Sequence, residues 1–183
     1  MIRMTIKIGI LSILSVSLVA CGDAATKTED HSGHDTMTIT TVNSDSTVSV
    51  SLKDASLNAV YQHYIHLKTA LVNGDVVEAK KAAMAIEEGA VQLTDGKAIA
   101  AEAAKVSATS DIETQRVAFS TMSNLLIPKV KASGFNSGEL YVEYCPMAFN
   151  DKGAQWISNE KEIRNPYFGD KMLTCGEIRE TLK

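Results

Sequence analysis

The chain has 183 residues, with 18 basic against 22 acidic side chains and a formal charge of −4. That length suits one domain with an appendage, and 45% apolar with 22% charged residues excludes both a wholly disordered chain and a multi-span membrane protein. The acidic balance argues against a nucleic-acid partner, which would want a basic face.

Residues 1–20 read as a signal peptide. Arg3 and Lys7 precede an uncharged apolar run from Ile8 to Val19, too short to span a bilayer comfortably. The run ends in Leu18-Val19-Ala20-Cys21-Gly22, which resembles the lipobox of bacterial lipoproteins. Its small residues admit a signal peptidase, and the Cys21 sulfur takes the lipid. The alternative is an ordinary secreted protein with a chance cysteine at the boundary. On the lipoprotein reading the mature chain carries 16 basic against 22 acidic groups. It sits in the cell envelope, facing the periplasm or anchored to the outer membrane, in a compartment where disulfides persist. Residues 21–52 are rich in Ser, Thr and Asp and read as a flexible tether. Within it, His31 and His34 form a short His tract that could collect a metal ion, although a solvated linker explains them as well.

Residues 53–183 form the expected domain, an up-and-down bundle of three to four helices closed by a short Cys/Met-containing loop or strand segment. Leu57, Val60, Tyr61, Tyr64, Leu67 and Leu71 recur at spacings of three and four, which predicts one apolar helix face. His66 then lies about 160° from the centre of that face and His63 about 100° from it, at 100° per residue. Water is the simpler fate for both, and a shared metal the alternative. Asn73-Gly74 stops this helix and Asp75 caps a second, with Val76, Ala79, Ala83, Ile86, Ala90 and Leu93 inward. Lys97–Val106 makes a short third helix. Ser110-Asp111-Ile112-Glu113 has the shape of a capping box for a fourth, with Ile112, Phe119, Met122, Leu126 and Val130 inward. Pro128 should kink it or end its regular part, and Gly134 stop it.

Beyond Gly138 the texture changes. Leu140–Tyr144 alternates like a strand, Asn159-Glu160-Lys161-Glu162 looks like a solvated helix start, and Glu177–Leu182 like a closing helix. Trp156, Tyr167 and Phe168 should pack this segment onto the bundle. Two soft-ligand clusters stand out: Cys145 with Met147, and Met172 with Cys175. Thiolate and thioether sulfurs are polarizable donors that suit Cu(I) better than hard cations. By residue type alone, a Cys145–Cys175 disulfide competes and ranks first. It would close a loop of 30 positions, worth about 3–4 kcal/mol on chain-entropy grounds, while Met147 and Met172 could simply fill core space. No zinc-finger spacing, CxxC, GxSxG, P-loop, HExxH or dinucleotide fingerprint is present. No catalytic residue is nominated and no enzyme is expected.

Cys145-Pro146-Met147-Ala148-Phe149, Gly153-Ala154-Gln155-Trp156-Ile157-Ser158, Ile163-Arg164-Asn165-Pro166-Tyr167-Phe168-Gly169 and Met172-Leu173-Thr174-Cys175-Gly176 resemble the signature of DUF3347, a bacterial domain family of unknown function. That family occurs as small periplasmic lipoproteins and as a C-terminal domain on adaptor subunits of copper and heavy-metal efflux pumps. The likeness runs from about Leu57 to Lys183, with the C-terminal motifs its most specific part. It implies copper or related soft-metal handling but does not identify ligands; the donors that residue type nominates for Cu(I) are Cys145, Met147, Met172 and Cys175, with His63, His66, His31 or His34 as auxiliaries outside the motif. It also implies a partner in an efflux adaptor or another envelope protein, besides the membrane itself. The alternative is a disulfide-stabilised interaction module of the envelope without metal.

Overall fold

The computed structural model describes residues 49–183; the expected signal peptide, Cys21, His31 and His34 lie outside the described residues. The fold is mostly helical, with two small antiparallel sheets. Four helices form its body: α1 (Ala55–Val72), α2 (Val76–Ala90), α3 (Lys97–Ala108) and α4 (Ile112–Ser133). Each packs against the next, and α4 returns to α1. None is long and apolar enough to cross a membrane.

The sequence explains the helix starts. Asp54, Asp75 and Asp111 each accept a hydrogen bond from the backbone N–H three residues on, at 2.9, 2.9 and 2.8 Å, satisfying donors that a helix N-terminus leaves unpaired. At the fourth helix the cap is Asp111, bonded to Thr114, while the Ser110 hydroxyl instead accepts from Lys80 at 2.9 Å. The inward residues expected for α1 are all buried, as are Ala79, Ala83, Ile86 and Ala90 of α2 and Phe119, Met122, Leu126 and Val130 of α4. Each large one contributes about 1.5–3 kcal/mol by leaving water. Small residues let α1 and α2 approach closely: a Cβ on Gly89 would stand 3.0 Å from Val60 Cγ2. Pro128 lies inside α4, which continues to Ser133 before Gly134 ends it at φ 72°.

Ser51 and Leu52, which the sequence places at the end of the tether, form β1 and pair with β2 (Phe135–Ser137). The second sheet has the order β4-β3-β5, with β3 (Leu140–Cys145) central between β4 (Ala154–Ser158) and β5 (Glu177–Leu182). The C-terminal segment is therefore a sheet rather than a loop with a short strand, and the tail is not the helix expected for Glu177–Leu182. Six residues are too few to hold a helix without packing, and β3 offers them an unpaired edge. The Asn159–Glu162 run is likewise not helical; Ser158 Oγ turns it by accepting from Glu160 N–H at 3.1 Å.

The sheet is fastened to the bundle by aromatic and polar contacts. Tyr64 Oη shares a 2.7 Å hydrogen bond with Ser123 Oγ on α4, and accepts the Ile157 N–H of β4 at 3.1 Å. Tyr64 stacks on Phe119, Phe119 meets Tyr167, and Trp156 meets Tyr167 edge-on, with ring centroids 4.9, 5.9 and 5.6 Å apart. Trp156 and Tyr167 thus pack the segment onto the helices as their residue types suggest.

Candidate metal centre

Cys145 is the last residue of β3, lies opposite Ala154 of β4 and is fully buried. The chain leaves the strand through Pro146 and Met147, then makes one helical turn over Ala148–Asp151. That turn is left-handed: Phe149, Asn150 and Asp151 have φ of 54°, 57° and 61°. Three successive non-glycine residues in this region cost about 1–2 kcal/mol each, and such strain is found where surrounding structure imposes a shape. Gly153 N–H closes the turn on Ala148 O at 2.9 Å.

The second sulfur cluster is held by Asn165, which is fully buried. Its N–H donates to Leu173 O at 2.8 Å, its Nδ2 donates to Cys175 O at 2.7 Å, and its Oδ1 accepts from Tyr167 N–H at 2.8 Å. Arg116 of α4 anchors the same loop from below. Its Nε donates to Pro166 O at 2.9 Å, Nη2 to Leu71 O at 3.2 Å and Nη1 to Glu113 at 2.8 Å. Sequence reasoning took Asn165 only as part of the Ile163–Gly169 motif and passed over Arg116. The Asn-Pro dipeptide was the available signal for the former; for the latter the sequence held none.

These supports bring the two clusters together. The Cys145 and Cys175 thiols are close enough to perturb each other, and the Met147 backbone N–H lies near the Cys175 sulfur. Both cysteines are free, with no bond between them. Burial first, then the neighbouring Cys145 thiol, pushes the Cys175 thiol up to about 11, partly opposed by the Met147 amide. Met147 and Met172 line one cavity of about 470 Å³ with Phe149, Tyr167, Phe168, Glu113 and Asp151. Met147 is 46% exposed and is therefore no core filler. In donor chemistry the two thiols and two thioethers are soft, but neither cysteine lines the methionine cavity, which holds two carboxylates.

The histidines stand elsewhere. His63 and His66 are exposed on α1, and His66 Nε2 lies 2.9 Å from Glu78 of α2. Among the described residues, no three His, Cys, Asp or Glu side chains gather in a way that could hold a metal.

One further buried group shares the β3 face. Glu143, two residues before Cys145 and opposite Trp156, is fully buried beside a bulge in the β3–β5 pairing. Neither carboxylate oxygen has a hydrogen-bond partner, and nor does Trp156 Nε1. Burial pushes Glu143 up to about 7; the Lys68 ammonium, then the Trp156 indole and the Ser158 hydroxyl pull it down in part, and Glu160 pushes it up. Lys68 is itself buried and reaches Glu160 at 3.3 Å.

No curated protein and no solved structure matches the chain. Residues 60–138 match the model of a protein family of unknown function, DUF3347. The match spans the four helices from Val60 onward and ends before β3, so the sulfur motifs that seemed the most specific part of the likeness lie outside it. Through this helical stretch, less than half of its length, the chain is similar to the DUF3347 family.

Proposed function

We propose that this protein is a soft-metal-binding lipoprotein of the cell envelope, anchored through Cys21, that takes up Cu(I) at Cys145, Cys175, Met147 and Met172. It is a binding protein rather than an enzyme. It sequesters the ion or passes it to an efflux adaptor or another envelope protein. The observation that carries this reading is the nearness of two unbridged thiols, together with a cavity lined by Met147 and Met172, the sequence neighbours of those cysteines. A thiolate pair supplies charge and affinity, while thioethers add soft donors that hard cations do not favour. The envelope assignment rests on the Leu18–Gly22 lipobox and the basic-apolar leader.

Competition of the reduced protein with a chromogenic Cu(I) chelator tests it. The chain should withdraw copper from the chelator, Cys145→Ser/Cys175→Ser should not, and Met147→Leu/Met172→Leu should do so more weakly. No uptake, or equal competition by the double serine variant, overturns it. The same nearness of the thiols favours a second reading, in which Cys145 and Cys175 oxidise to a disulfide and the domain serves as an interaction module. Alkylation of freshly isolated protein separates the two: blocked thiols favour the disulfide, and free thiols that copper protects favour the metal.

A further inference from the structure

Three large apolar side chains of the α2 segment stay in solvent: Val77 is 63% exposed, Met84 53% and Val91 57%. They are seven residues apart, two helical turns at each step, so they lie in one line that drifts only about 20° per step. The line runs along the side of α2 away from its buried Ala79, Ala83, Ile86 and Ala90.

Charges flank it in a fixed order. Lys80 and Lys81 belong to the half before Met84, Glu87 and Glu88 to the half after. At about 100° per residue, Lys80 and Glu87 border one flank of the line and Lys81 and Glu88 the other. Now consider a second copy of the helix laid antiparallel across the first, with the two-fold axis at Met84. Val77 meets Val91 of the second copy and Met84 meets its own equivalent. On each flank lysine meets glutamate, Lys80 facing Glu87 and Lys81 facing Glu88. A parallel copy would set lysine against lysine and glutamate against glutamate. The pattern is thus self-complementary in one orientation only, as an isologous contact requires.

We propose that the exposed face of α2 is a docking surface for a second copy of this chain, paired antiparallel about Met84. The local partners of the lysines do not oppose this. Lys80 reaches Ser110 at 2.9 Å and Lys81 reaches Glu78 at 3.0 Å, and exposed contacts of this kind exchange at little cost. Glu87 and Glu88 take part in none of the ion pairs among the described residues. A single pair of 15-residue helices lies at the small end of interface sizes. The association is therefore weak, and salt weakens it further.

Sedimentation equilibrium of the full reduced chain, from low micromolar concentration upward, tests this. Wild type should dimerise. Lys80→Glu/Lys81→Glu should weaken the association by at least about tenfold, and so should Glu87→Lys/Glu88→Lys. An equimolar mixture of the two variants should restore it. Association through any other part of the chain is indifferent to these exchanges. Met84→Cys, on the axis, should cross-link two chains under mild oxidation. A wild-type chain that stays monomeric overturns the proposal, whether its own residues 1–48 or a different protein covers the face. So does a dimer insensitive to both charge variants, or a mixture no more associated than either variant alone.

Discussion

Replacing Glu143 by glutamine keeps the shape of a fully buried side chain and removes its charge. In the fold, burial lifts this carboxyl from its ordinary value of 4.5 to about 7. The folded protein therefore holds a proton that the unfolded chain has already released across this interval. Stability falls as pH rises from about 4.5 to about 7 and levels off above, because the unfolded state binds fewer protons there. A gap of about 2.5 pKa units corresponds to about 3 kcal/mol, most of it, about 2.5 kcal/mol, lying between about pH 5 and about pH 8. The chain has one tryptophan, Trp156, buried opposite Glu143, so its fluorescence reports urea unfolding from the right place. Wild type and Glu143→Gln should differ little at about pH 5, and at about pH 8 the variant should be more stable by about 2–3 kcal/mol. Lys68→Met, which removes the nearest favourable charge, should move the wild-type transition to higher pH. A stability difference between wild type and Glu143→Gln that does not change with pH would refute the reasoning.

Other outcomes follow from the supports of the sulfur cluster. Arg116→Met leaves the Pro166 carbonyl without its donor, whereas Leu71 O keeps the Gly74 N–H, and should cost about 1–3 kcal/mol in urea unfolding. Asn150→Gly relieves one of the three left-handed residues and should stabilise the fold by about 0.5–1 kcal/mol, measured as a rise in Tm. Cu(I) affinity should climb with pH, since the metal must displace thiol protons. With Cys175 pushed up to about 11, the climb should continue past about pH 9, as read by chelator competition at stepped pH.

The helical body was legible in the sequence because its information is local. Apolar residues at spacings of three and four, an aspartate before each of α1, α2 and α4, and Gly74 and Gly134 after α1 and α4 act over one or two turns of chain. The aromatic anchors Trp156 and Tyr167 were legible for a related reason: side chains of that size seldom find any place but an interior. The tail was misread because Glu177–Leu182 is rich in helix formers, yet its conformation is decided by the free edge of β3, more than thirty residues away in sequence.

At the sulfur cluster the division is sharper. Residue type alone nominated Cys145, Met147, Met172 and Cys175, since soft donors carry their chemistry with them. That the two thiols are unbridged neighbours, that both methionines border one cavity, and that His66 turns instead to Glu78 were settled by packing. The strained turn at Phe149–Asp151, the three bonds of Asn165 and the buried carboxylate of Glu143 were set by the same means. Periodicity is written in neighbouring residues, whereas proximity between distant segments exists only once the sheet, the Arg116 anchor and the helices have excluded the alternatives.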